Sequence, residues 1–219
     1  MKTVLYEKDG LIGRVTLNRP EKLNAINDDM PRDLEEAITL ANDDPDISVI
    51  ILSGNGKAFC SGYDLSEYAQ GNESNKFTQK MPWDPIKDYQ TMWNDTQHFM
   101  SIWKSLKPVI CKVHGFAIAG GSDIALCSDM IIMADNAEIG YMPSRVWGTP
   151  TTAMWVHRIG PEKAKKMLFT GDKINGKEAE KIGLVLESVS PENLDERVET
   201  LANRIKTVPI NQLCLLYTS

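Results

Sequence analysis

The chain is poor in the residues that would mark several function classes. Four cysteines, Cys60, Cys111, Cys127 and Cys214, are scattered without a CxxC pair, and His98, His114 and His157 are equally dispersed. That spacing supports neither a disulfide framework nor a metal site, and the thiols read as small buried groups in a reducing compartment. No apolar run reaches membrane-span length, and the N-terminus has neither a long apolar core nor an Arg/Ser-rich amphipathic lead. Acidic residues outnumber basic ones, 30 to 24, and the resulting net charge of −6 argues against a nucleic-acid surface. A cytoplasmic chain with no membrane or nucleic-acid partner is the expectation. Its 219 residues are enough for one domain, or one domain with an appendage.

Apolar periodicity supplies the elements. Residues 3–7 and 11–17 read as a hairpin across Lys8-Asp9-Gly10, and the runs 47–52, 108–113, 130–134 and 184–189 as further strands. Residues 28–41 place Met30, Leu34, Ala37, Ile38 and Ala41 on one helical face, with Pro45 just beyond. Helices are also expected over 89–103, 164–169, 176–181 and 194–205. Residues 67–88 break the alternation. They are polar and carry Gly71, Pro82 and Pro85. Strands alternating with helices indicate an α/β fold.

Chemistry is suggested by Ala117-Ile118-Ala119-Gly120-Gly121-Ser122-Asp123, which follows the strand 108–113 and leads into the apolar run Ile124-Ala125-Leu126. Adjacent glycines let backbone N–H groups approach a ligand, and a helix start offers donors without intrahelical partners. Asp123 follows Gly120 closely enough to face the same spot, so oxyanion donors and a proton carrier are combined. A plain turn or close-packing glycine pair is the competing reading. A second loop, Gly56-Lys57-Ala58-Phe59-Cys60-Ser61-Gly62-Tyr63-Asp64-Leu65, follows the buried strand 47–52. Two such loops side by side could each give one N–H to a single oxygen.

These two loops resemble the paired signatures of the crotonase superfamily, the enoyl-CoA hydratase/isomerase family. So do Leu17-Asn18-Arg19-Pro20-Glu21-Lys22-Leu23-Asn24-Ala25, Phe169-Thr170-Gly171, Ala179-Glu180 and Ile182-Gly183-Leu184-Val185, in order, from about Val4 to about Leu213. The resemblance implies a spiral of β-β-α units forming two roughly perpendicular sheets flanked by helices. It also implies an acyl-CoA thioester substrate whose oxygen is held by the N–H groups of Tyr63 and Gly120. The stretch Ala58, Cys60, Gly62, Asp64 and Leu65, with Gly121, is implied to bind coenzyme A, which enters as part of the substrate, no cofactor being permanently bound. Lys22 matches a basic position near the CoA phosphates, where a plain solvated lysine is the alternative. Asp64 also reads as a helix cap.

Asp123 aligns with the first of two catalytic glutamates of the hydratases. At the second, where hydratases carry Gly-x-Pro-Glu, this chain has Gly140-Tyr141-Met142-Pro143-Ser144, so Ser144 stands in the acid's place. No Asp or Glu occurs from residue 139 to 160, and Glu138 falls at a position the family leaves polar and surface-facing. Tyr141 could donate a proton, Arg145 could pair with an anionic acyl group, and Trp147, Thr149 and Thr151 fall where reaction types differ. Met81, Trp83, Ile86 and Tyr89 either line the acyl pocket or pack as a surface loop. The resemblance favours reversible hydration of a 2-enoyl-CoA in fatty acid metabolism. Isomerisation, decarboxylation or thioester hydrolysis through the same enolate, and a non-catalytic acyl-CoA binder, are the alternatives. Family chains assemble as trimers or dimers of trimers and typically continue for further helices. Residues 1–213 are therefore expected to form the acyl-CoA-binding domain with its helical cap incomplete, and residues 214–219 an atypical tail.

Overall fold

The computed structural model describes residues 1–68, 79, 81–145 and 152–216. The chain opens with strands β1 (Val4–Asp9) and β2 (Ile12–Leu17), then helix α1 (Met30–Asp43), strand β3 (Val49–Gly54) and the short helix α2 (Leu65–Tyr68). Helix α3 (Pro85–Trp103), strands β4 (Val109–Val113) and β5 (Phe116–Ile118) and helix α4 (Gly120–Leu126) follow. Next come β6 (Met130–Ala134), β7 (Glu138–Gly140), α5 (Met154–Thr170), β8 (Lys173–Asn175) and α6 (Gly176–Ile182). The described chain closes with β9 (Glu187–Val189), α7 (Leu194–Ile205) and α8 (Ile210–Leu216).

Among the described residues two sheets form, one ordered β1-β2-β3-β4-β6-β9 and one ordered β5-β7-β8. In the first, β1 and β2 are antiparallel and every later pair is parallel. The central strands β3, β4 and β6 are almost wholly buried, as their continuous apolar character requires, whereas the edge strand β1 buries little beyond Val4. The anticipated apolar face of α1 is buried against α3 and the sheet. Helix α7 covers β3, β4 and β6 with Leu194, Val198 and Ala202.

Four expectations are corrected. The hairpin turns on residues 10 and 11, because Lys8 and Asp9 remain paired in β1, with Asp9 opposite Ile12. The chain does not pass straight from β4 into a helix: it turns at Gly115 and adds β5 to the second sheet first. The helix expected at 164–169 is the last part of α5, whose earlier part joins across a break at Gly160 (φ 73°) next to Pro161. The strand expected over 184–189 is confined to its last three residues, although Leu184 and Val185 are buried.

Candidate active site

The loop joining β3 to α2 is held by the N-terminal motif, through bonds the motif's spelling does not disclose. Leu23 and Asn24 both take left-handed backbone (φ 51° and 54°). That turn puts the fully buried Asn24 side chain under the loop, where its amide donates to the carbonyls of Asn55 and Ala58, both at 2.8 Å. Its oxygen accepts from the Arg19 N–H at 2.8 Å. Arg19 in turn reaches Asp64, with Nη2 3.1 Å from Oδ2, and donates to the Ala25 carbonyl. Ile26 N–H donates to the Gly62 carbonyl at 2.8 Å and Asp64 N–H to the Ile26 carbonyl at 2.9 Å, so residues 62–64 are bound along a strand-like bridge.

Asp64 therefore does two jobs. It caps the start of α2 by accepting from Ser66 N–H at 3.1 Å, and it forms an ion pair with Arg19 in which the arginine and aspartate side chains are only 12% and 4% exposed. Burial pushes its carboxyl up, but the bonds from Ser66 and Arg19 outweigh that and hold it below the usual carboxylate range. Lys22, exposed, lies 3.2 Å from Ser66 Oγ. Leu65 is exposed too.

The two glycine-containing loops lie side by side. Cys60 N–H donates to Phe116 O at 2.8 Å, Ile118 N–H donates to Cys60 O at 3.0 Å, and Cys60 bridges Ala117. Burial pushes the Cys60 thiol up to about 12, so it stays protonated and is a poor nucleophile. Gly62 (φ 93°) runs so close to residues 118–119 that a Cβ there would sit 3.0 Å from Ala119 Cβ and from Ile118 O. Gly121 is closer still: a Cβ on it would lie 2.4 Å from Cys60 O. A Cβ on Gly120 would meet Ile26 at 2.7 Å and the Tyr63 ring at 3.0 Å. Residues 63 and 120 thus adjoin, and Gly120, as first residue of α4, has an N–H with no intrahelical acceptor.

Asp123 lies one turn further along α4 and is 1% exposed. Around it are Thr152, whose Oγ1 is 3.4 Å from its Oδ1, and the phenols of Tyr141 and Tyr63. Burial first, and then the Asp123 charge, push the Tyr141 phenol well up. Burial and the Asp95 carboxylate, followed by Asp123 and Tyr141, do the same to Tyr63. Tyr141 reaches this cluster because β5 and β7 are parallel neighbours with Ile118 opposite Gly140, and Ala119 N–H donates to Gly140 O at 2.9 Å. Tyr63 Oη donates to Asp95 Oδ2 at 3.0 Å, and Asp95, on α3, is 4% exposed. Asp95, Thr152, Arg19 and Asn24 are site residues that sequence reasoning did not single out. A polar residue inside an otherwise amphipathic helix is the only sequence signal for Asp95.

The other expected residues are less central. Ser144 Oγ donates to Tyr141 O at 2.9 Å, and the Arg145 stem packs over Gly171 at the end of α5. Trp83 is 60% exposed and its indole N–H donates to Asp88 at 2.7 Å, the contacts of a surface group; Met81, Ile86 and Tyr89 are exposed as well. Glu138 pairs with Lys173 near the surface. His114 Nε2 lies 2.9 Å from Gly56 O, a structural contact. Trp147, Thr149 and Thr151 lie outside the described residues. Among the described residues, no group of three or more His, Cys, Asp or Glu could hold a metal ion, and no helix is long and apolar enough to cross a membrane. A cavity of about 430 Å³ between Lys57, His114, Asn136 and Leu194 has none of the Asp123 cluster in its lining.

Paired glycine loops, parallel strands feeding them and a buried acid on the following helix define a protein of the crotonase-fold class. The sequence profile described as Enoyl-CoA hydratase/isomerase matches residues 7–218, and the chain belongs to that family. It is 34% identical over 208 residues to the crotonyl-CoA hydratase of Syntrophomonas wolfei, covering 93% of this chain and 75% of the relative. With the short-chain-enoyl-CoA hydratase of Clostridium acetobutylicum it shares 33% over 211 residues, 94% of this chain and 76% of the other. The crystal structure of an enoyl-CoA hydratase from Mycobacterium smegmatis superposes with a TM-score of 0.91 at 42% identity, over 100% of this chain and 76% of that one.

Proposed function

We propose that this chain catalyses reversible addition of water to a 2-enoyl-CoA. The observation that carries the reading is the buried carboxylate of Asp123 on the helix whose first residue, Gly120, abuts Tyr63. The N–H groups of Tyr63 and Gly120 hold the thioester oxygen. Asp123 takes a proton from water as the water oxygen bonds to Cβ, and the alkene electrons move into an enolate whose charge sits on the thioester oxygen. Asp123 then returns the proton to Cα. One carboxylate acting first as base and then as acid balances the reaction, so a second at position 144 is not obligatory. Each oxyanion donor is worth about 3 kcal/mol of transition-state stabilisation in comparable sites.

The backbone of Ala58, Cys60, Gly62, Asp64, Leu65 and Gly121 forms the coenzyme A platform, with Lys22 at the phosphates. Coenzyme A arrives as part of the substrate, and no resident cofactor takes part. Tyr141 and Arg145 border the acyl group. The chain acts in the cytoplasm, in fatty acid metabolism, and assembles as a homotrimer or dimer of trimers, which sedimentation analysis tests.

A second reading is favoured by Ser144, whose hydroxyl is turned onto Tyr141 O. With no acid there, Asp123 as a single proton carrier also suits isomerisation, moving a proton between Cγ and Cα. Mass spectrometry of an acyl-CoA panel incubated with the protein and with Asp123→Asn separates these. A gain of one water lost in the variant supports hydration. A positional isomer without mass change supports isomerisation, and free CoA or lost carbon dioxide a hydrolase or decarboxylase. Bound CoA without turnover leaves a binder.

A further inference from the structure

The Tyr63 side chain has no part in the oxyanion hole, which needs only its backbone, yet it is built into the site. Its ring lies against Gly120, and its hydroxyl donates to Asp95, a carboxylate brought in from α3 and nearly sealed from solvent. A surface-facing aspartate would need no such partner. A buried carboxylate that accepts the phenol proton orients the hydroxyl and makes its oxygen a better acceptor. Asp123 is three residues along from Gly120, which abuts the Tyr63 ring, and its charge is among those that, after burial, raise the phenol's pKa, so the two groups are neighbours brought in by different loops.

We infer that Asp95 and Tyr63 form a water-holding pair that takes over the second carboxylate's positioning duty, with Tyr63 Oη as the group on the water and Asp95 the positioning residue behind it. The inference rests on the hydration reading. In it the attacking water gives one hydrogen to Asp123 and points the other at Tyr63 Oη. That second hydrogen is not transferred and stays in the new hydroxyl group, so the proton balance is unchanged. Neither Tyr63 nor Asp95 moves a proton. Burial, then the charges of Asp95 and Asp123, raise the pKa of the phenol, which keeps it from ionising and preserves the arrangement.

The test compares the wild-type chain with Tyr63→Phe, Asp95→Asn and the double variant. Two rates are read for each: hydration of crotonyl-CoA, and exchange of the α-proton of butyryl-CoA in D2O, which uses the oxyanion hole and Asp123 but adds no water. Each single variant is expected to lower hydration kcat by about 10- to 100-fold, the range for one hydrogen bond to a charged network. Exchange should fall by less than about threefold, so the ratio of the two rates is the diagnostic. The double variant should be no slower than Tyr63→Phe alone, since Asp95 acts through Tyr63. Equal losses of both rates, or a fall in melting temperature with hydration intact, would overturn the inference and leave the bond a brace between α3 and the loop. If Asp95→Asn does not fold, Tyr63→Phe decides alone, because Phe keeps the ring on Gly120. A wild-type chain that exchanges the α-proton but hydrates nothing rejects the hydratase reading itself, and the water-holding pair with it. A wild-type chain that hydrates while Tyr63→Phe keeps its rate rejects only the pair.

Discussion

Asn24→Ala tests the claim that the N-terminal motif is the floor of the loop joining β3 to α2, the proposed coenzyme A platform. Three hydrogen bonds are removed, to Asn55 O, Ala58 O and from Arg19 N–H. Asn55 is exposed and water can replace its lost donor, but Ala58 is buried and its carbonyl would stand unsatisfied. An ordinary net bond is worth about 1 kcal/mol and a stranded buried group about 1–3, giving about 4 kcal/mol in all. Alanine must also adopt the left-handed backbone that asparagine tolerates, adding about 1–2 kcal/mol. For a chain of this size each kcal/mol moves the melting point by about 2–4 °C, so a fall of more than about 10 °C is expected in calorimetry. Asn24→Gly loses the same bonds without the backbone strain and should lie between Asn24→Ala and wild type. KM for an acyl-CoA should rise in both if the proposed binding backbone lies within this loop. A melting point for Asn24→Ala within about 3 °C of wild type would refute the reasoning.

Asp123→Asn should lower turnover by about 10²–10⁴-fold while a CoA thioester still binds in calorimetric titration; retained turnover would remove Asp123 from the chemistry. Gly121→Ala should destabilise by at least about 1–3 kcal/mol, because its Cβ would meet the Cys60 carbonyl carbon and oxygen, backbone atoms fixed by the bridge to β5. An unaltered unfolding curve would show that the two loops are not in that contact. Asp64→Asn should be less stable than wild type at neutral pH, and the gap should narrow on acidification. The sign follows from a folded pKa below the unfolded value of about 3.9: the contribution is complete above that value and is lost as pH falls through the folded one. A gap that widens toward acid would contradict the Arg19–Asp64 pairing.

Much of this site is written in local sequence. The apolar runs that become β3, β4 and β6, the buried face of α1, and the glycine junction with Asp123 are each set by residues within one strand or a few helical turns of each other. Burial and backbone reach act over those distances, so periodicity reports them. The three-residue strand β5 escapes such a reading because it has no period long enough to see. The first part of α5 escapes it because Gly160 and Pro161 end a helical pattern locally even where packing aligns the two halves.

Asn24 and Arg19 are visible as letters of a motif, but their work depends on which loop lies above them. Asp95 looks like a polar residue of an exposed helix until α3 is laid against Tyr63. Tyr141 stands near Asp123 only because β7 pairs in register with β5. The amino-acid sequence by itself therefore determined the family, most of the elements and the acid at position 123. Tertiary structure alone decided what the acid faces. Hydrogen bonds between groups tens of residues apart form only when the sheets and helices have packed, and no local spacing encodes their partners.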